Sequence, residues 1–265
     1  MSRLAPVFDR PGPKLVTYAT AGDPDRSRSR DVMIGMARGG ADVIEIGVPF
    51  SDPIADGPVI QRATERALAA GATLTSTFEL VESLRGVVDV PLVLFTYVNP
   101  VVRYGVDAFV SRAADAGVDG VLLLDLPIEE ADATHRALAS HGIDQIFLVS
   151  PTTTDERLKA AGRYGSGFLY AISRLGVTGA RQSVAATAEP LVARVKAATA
   201  LPVALGFGIS TPEHVSAVTT YADAAVVGSA IVQVVADSAA AGENVGGSVE
   251  RFVRWLKGGP AGNGR

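Results

Sequence analysis

The chain of 265 residues contains no cysteine. A disulfide framework, a thiolate zinc site and a cysteine nucleophile are therefore excluded. Charge of one sign is also scarce: 24 Lys and Arg stand against 28 Asp and Glu, a formal net charge of −4. That balance does not favour nucleic acid or an anionic membrane, both of which select a basic patch. No apolar run approaches the roughly 18 residues of a membrane span. The first twelve residues, MSRLAPVFDRPG, are broken by Pro6 and Asp9 before a secretory core could form. The three histidines, His135, His141 and His214, fall in helical stretches as solvated surface groups and are not spaced as metal ligands. These absences predict a cytoplasmic protein without a metal, nucleic-acid or membrane partner.

What is present is apolar material, 48% of the chain, with a mean hydropathy of +0.26. It recurs in short β-branched runs: Leu15–Thr20, Val43–Val48, Pro91–Tyr97, Gly120–Leu126, Gln145–Val149, Gly167–Ser173, Val203–Phe207 and Ala224–Val227. Such runs, apolar on both faces, suit strands buried inside a parallel sheet. Amphipathic stretches alternate with them, including Asp107–Ala116, Glu129–His141, Asp155–Tyr164 and Glu189–Thr199. Thr75–Gly86 follows the Val59–Ala70 helix with no strand between, and Gly247–Lys257 adds a helix near the end. Eight such units in this length predict an α/β fold, a (β/α)8 TIM barrel with extra helices. Residues 1–258 read as one domain and 259–265, GPAGNGR, as a flexible tail.

The seventh run leads into Gly206-Phe207-Gly208-Ile209-Ser210 and then Thr211-Pro212-Glu213. Ser210 with Glu213 three residues later has the spacing of a capping box, with Pro212 in the first turn. The eighth run ends in Gly228-Ser229, directly before an apolar helix. Each junction is a tight turn or an anion site, since bare N–H groups at a helix start attract negative charge. Occurrence of both after strands seven and eight matches the phosphate site of barrel enzymes and predicts a phosphorylated substrate.

Glu45 interrupts the second run, where an unpaired carboxylate is costly to bury. Alternation puts it on one face with Val43, and the strands offer almost no basic residue as a partner. If that face points into the barrel mouth, Glu45 lies where barrels do chemistry, with a raised pKa suited to giving and taking protons. The loop that follows, Pro49 to Pro58, is too long for an ordinary turn and carries Asp52 and Asp56. Asp56 can reach over the mouth opposite Glu45, and Asp52 is the rival. Arg174–Ala188 is a second long polar loop, read as a mobile lid or a disordered insertion. Asp23 and Asp125 stand at the same end and are either functional or helix and turn caps.

The segment Ile44-Glu45-Ile46-Gly47-Val48-Pro49-Phe50-Ser51-Asp52-Pro53 through Ala55-Asp56-Gly57-Pro58 resembles the signature of the tryptophan synthase α-subunit family. Tyr170 to Ser173, Gly176-Val177-Thr178-Gly179 and Gly206 to Ser210 match further motifs in order. The resemblance covers the chain apart from its tails. It implies a lyase that splits indole-3-glycerol phosphate into indole and glyceraldehyde 3-phosphate by a retro-aldol route. Glu45 would then be the acid/base acting at C3 of the indole and at the glycerol hydroxyl. Asp56 would face the indole N–H. Thr178 would bond Asp56 on closure, and Tyr170 would line the pocket. Gly179, Gly206, Phe207, Gly208, Gly228 and Ser229 would surround the phosphate. A β subunit carrying pyridoxal phosphate would receive the indole within an α2β2 heterotetramer, leaving no cofactor in this chain. Two positions depart from the pattern: Tyr18 stands where the family often has Phe, and Phe95 replaces a smaller aliphatic residue. Neither is assigned a substrate contact.

Other phosphate-binding barrels are the rivals. A synthase making indole-3-glycerol phosphate needs a lysine inside the barrel, and the predicted strands hold only Lys14, at their edge. A sugar-phosphate epimerase needs metal ligands. A barrel retained only for binding would not need both Glu45 and Asp56.

Overall fold

The computed structural model describes residues 2–172, 183–206 and 208–259. In chain order the elements are α1 (Leu4–Asp9), β1 (Lys14–Thr20), α2 (Arg26–Gly39), β2 (Val43–Gly47), α3 (Pro58–Ala69) and α4 (Leu74–Arg85). Then come β3 (Leu92–Thr96), α5 (Val98–Tyr104), α6 (Val106–Ala116), β4 (Gly120–Leu123), α7 (Ala131–Ser140), β5 (Asp144–Val149) and α8 (Asp155–Tyr164). The remainder is β6 (Leu169–Ile172), α9 (Ser183–Ala198), β7 (Val203–Gly206), α10 (Pro212–Val218), β8 (Ala224–Val227), α11 (Ser229–Ala240) and α12 (Val245–Leu256). The strands pair in parallel from β1 to β8 and close back on β1. This is the expected (β/α)8 barrel, with α1, α4, α5 and α12 as additions.

Alternation along each strand separates two cores. Ile44, Ile46, Leu92, Leu94, Val203 and Leu205 face outward and pack under the helices. Val16, Val43, Val93, Leu122, Ile146 and Phe168 fill the barrel. Burial on both faces explains why these strands read as continuous apolar runs. The α1 helix, not anticipated from the sequence, closes the floor: Leu4 and Val7 join the interior cluster, and Phe8 lies 5.5 Å from Phe168.

A repeated device pins the N-terminal ends of the odd strands. The Leu15 N–H donates to Asp42 at 2.8 Å, Leu92 N–H to Asp119 at 2.9 Å and Val203 N–H to Asp223 at 2.8 Å. The Gln145 N–H donates to the Ser166 hydroxyl at 3.1 Å. Each acceptor stands just before the next strand, so one side chain ties neighbouring strands in register. The aspartates carry their own cations: Lys257 and Arg10 on Asp42, Arg3 and Arg85 on Asp119, Lys196 on Asp223.

Several boundaries differ from expectation. The third strand stops at Thr96 because Tyr97 is already the N-cap of α5. The fourth stops at Leu123, and the sixth runs only over Leu169–Ile172. Helix α9 begins at Ser183, so the long loop does not extend to Ala188; its residues 174–182 lie outside the described residues, as do Ser173 and tail residues 260–265.

Candidate active site

Glu45 and Val43 do face the barrel interior. The Glu45 side chain is 0% exposed, and neither of its carboxylate oxygens has a hydrogen-bond partner among the described residues. Burial alone pushes its pKa up to about 8, because the ionised form has lost water and gained nothing in return. Glu45 is therefore protonated at neutral pH.

Asp56 is reached by a loop folded on itself: Ile54 N–H donates to Asp52 O at 2.9 Å and Asp56 N–H to Pro53 O at 3.0 Å. Gln61, in the first turns of α3, donates its amide to Asp56 O at 2.9 Å. The Tyr97 hydroxyl accepts from Ala55 N–H and donates to Asp56 Oδ2, both at 3.0 Å. Burial raises the Asp56 pKa and the Tyr97 bond lowers it, leaving it at about 6. Asp56 is half-buried and ionised at neutral pH. The two carboxylates thus hold opposite protonation states because one has a donor and partial solvation and the other has neither.

Tyrosines frame the pair. Tyr18 is the register partner of Glu45 on the neighbouring strand, its ring edge-on to Phe95 at 5.1 Å between centroids. Tyr170 enters from β6, and the missing side chain of Gly206 makes its room: a Cβ there would lie 2.3 Å from the Tyr170 oxygen. Tyr97 was missed in the sequence. Its signal was a phenol at the C-terminal end of a barrel strand, where side chains meet the mouth.

At the predicted phosphate end, Gly206 closes β7 and Gly208 has φ +72°. The α10 cap is Thr211, not Ser210: the Thr211 hydroxyl accepts the His214 N–H at 3.3 Å, and Pro212 takes the first helical position. His214 is half-buried, its Nδ1 receiving Ser210 N–H at 3.4 Å, so it is more than a solvated surface group. His135 likewise packs against the Tyr164 ring, while His141 is exposed. Gly228 is the N-cap of α11, which begins at Ser229 with no side chain capping its first N–H groups. Thr178, Gly179 and Phe207 lie outside the described residues.

Two other aspartates have structural partners. Asp23 is buried and receives Arg66 through Nε at 2.7 Å and Nη2 at 2.9 Å. Asp125 accepts the Val98 N–H at the start of α5 at 2.7 Å. Asp52 is exposed and bonded by Ser51. Among the described residues no cluster of His, Asp or Glu could hold a metal ion.

The family model for the tryptophan synthase alpha chain matches residues 5–258. A tryptophan synthase alpha chain of Solibacter usitatus is 49% identical over 97% of this chain and 97% of its own. Tryptophan synthase subunit alpha of Legionella pneumophila superposes with a TM-score of 0.89 at 34% identity, covering 97% of both chains. A tryptophan synthase complex from Pyrococcus furiosus gives 0.83 at 36% identity, over 92% of this chain and 98% of that one. The family model, the relatives and the superposed structures agree, and the chain belongs to the tryptophan synthase alpha chain family.

Proposed function

We propose that this chain is the α subunit of a tryptophan synthase and cleaves indole-3-glycerol phosphate to indole and glyceraldehyde 3-phosphate. The observation that carries this reading is a pair of carboxylates in contrasting surroundings: Glu45 is buried with no bonded donor among the described residues, which pushes its pKa up to about 8, and Asp56 is half-buried on the Tyr97 phenol, at about 6. A retro-aldol cleavage needs both. Glu45, protonated, gives its proton to C3 of the indole ring, and positive charge develops on the ring nitrogen. Asp56, ionised, faces that N–H and offsets the charge. The Glu45 carboxylate then takes the proton of the glycerol hydroxyl as the bond from C3 to the side chain breaks. The electron pair returns to the ring and the hydroxyl carbon becomes the aldehyde. The proton count closes with Glu45 neutral again.

Tyr170 lines the apolar end of the pocket. The phosphate sits at the uncapped start of α11, at Gly228 and Ser229, with Gly206 and Gly208 contributed by the junction after β7. The family resemblance further implies Gly179 at the phosphate and Thr178 as a partner of Asp56, both outside the described residues. Indole passes to a β subunit in an α2β2 heterotetramer, where pyridoxal phosphate held by that subunit would supply the chemistry for its condensation with serine. Lys14, at the N-terminal start of β1, has its ammonium on the carbonyl oxygens of Arg10 and Gly12. The enzyme works in the cytoplasm; no described helix is long and apolar enough to cross a membrane.

The test is indole release from indole-3-glycerol phosphate, with and without a β subunit. Wild type with its partner is expected to release indole, and Glu45→Gln to release almost none. An inactive wild-type complex would overturn the reading.

A further inference from the structure

Once Glu45 has given up its proton, its carboxylate is an anion at 0% exposure with no bonded donor among the described residues. A charge so placed requires a hydrogen-bond donor. In register with Glu45 stand Val93 on one side, which has nothing to donate, and Tyr18 on the other. Tyr18 leans across β2 toward the mouth: a Cβ on Gly47 would lie 2.1 Å from its oxygen, so only glycine admits it. Gly47 is two residues beyond Glu45, on the same face of the same strand. The phenol oxygen therefore lies over Gly47, one same-face position further toward the mouth than Glu45. Its ring is walled by Phe95, by Val59, Ile60 and Ala63 of the α3 side and by Val232 of α11.

We propose that the Tyr18 hydroxyl is the donor that stabilises the Glu45 carboxylate during turnover, a positioning and charge-stabilising role resting on the reading of Glu45 as the acid. The hydroxyl is free for it. It meets Thr20 Oγ1 at a long 3.4 Å, and with Thr20 as donor the phenolic proton is left over. The titratable groups facing Tyr18 are Asp56, Glu45, Tyr97 and Tyr170. Burial raises the Tyr18 pKa well above the ordinary phenol value, so it remains a neutral donor throughout the working pH range. Tyr170 also faces Glu45, but its oxygen is held over Gly206 on β7.

Tyr18→Phe removes one hydroxyl and keeps the ring packing. We expect kcat to fall roughly ten- to a hundredfold with KM little changed, as for a lost hydrogen bond to a charged group. The basic limb of the pH profile should move up by about one unit, since the carboxylate is the form that loses support. A slower enzyme whose basic limb moves to higher pH is not what a packing defect produces. An unchanged rate, or a raised KM with an unmoved limb, would overturn the proposal and make Tyr18 a pocket wall. If Glu45→Gln is inactive in the same assay, that failure leaves the acid assignment standing; if Glu45→Gln is active, the assignment itself fails.

Discussion

The aspartates that clamp the barrel floor and the carboxylate pair at its mouth are held in opposite ways. At the N-terminal end Asp42, Asp119 and Asp223 each take a strand N–H and one or two cations. At the C-terminal end Glu45 has neither among the described residues, and Asp56 shares one phenol. The same residue types thus hold the barrel together at one end and stay reactive at the other. The floor aspartates are occupied by their strand N–H groups and cations, whereas a carboxyl without a bonded donor keeps its proton until a substrate draws it off.

Glu45→Gln tests the reactive end most severely. Loss of the acid should cost roughly 10²–10⁴ in kcat. Stability should move the other way. The raised folded pKa means the native state holds a proton that the unfolded chain releases, so Glu45 costs stability increasingly as pH rises from its ordinary 4.5 to about 8. Wild type should therefore be less stable than Glu45→Gln by up to about 3 kcal/mol near pH 7, with the difference fading toward pH 4. Denaturant unfolding at several pH values measures it. A pH-independent difference would mean that Glu45 is not buried as an acid. The same pair predicts a bell-shaped rate profile, falling above about 8 as Glu45 ionises and below about 6 as Asp56 protonates.

Asp119→Ala is the mirror experiment. It removes the acceptor of Leu92 N–H and strips Arg3 and Arg85 of their carboxylate. A loss of about 3 kcal/mol is expected, with kcat per folded molecule unchanged. A large kcat effect would break the division between the two ends.

Tyr97→Phe sharpens the comparison within the mouth. Asp56 loses the bond that lowers its pKa, so the acid limb should rise from about 6. The rate at neutral pH should drop by roughly tenfold. An unmoved limb would show that Asp56 does not depend on this phenol.

How much of this was legible follows from which physics each feature obeys. The eight strands were, because burial on both faces leaves nothing but apolar residues to read. Glu45 was, since a carboxylate in such a run is an exception with no basic residue nearby. Tyr97 was not: its meaning depends on a loop 41 residues upstream coming to rest against it. Helix α1, six residues with Pro6 inside, gains its helicity from the barrel floor it plugs rather than from its own propensity. The cap at α10 was misread although the rule was available: proline at the first helical position makes the residue before it, Thr211, the N-cap.

Ser166→Ala asks whether the floor clamps depend on charge. Ser166 occupies the fourth place in the set, accepting Gln145 N–H at 3.1 Å where the other three strands meet an aspartate. It brings no ion pair, and its own N–H donates to Gln145 O at 2.9 Å whatever the side chain. What is lost is one neutral bond, and Ser166 is only half-buried, so water can replace it. The cost should be about 1 kcal/mol, well below that of Asp119→Ala, read as a shift in the urea midpoint with unchanged slope. Equal costs at the two positions would mean that the strand N–H bond, and not the buried cation, is what the aspartates contribute to the floor.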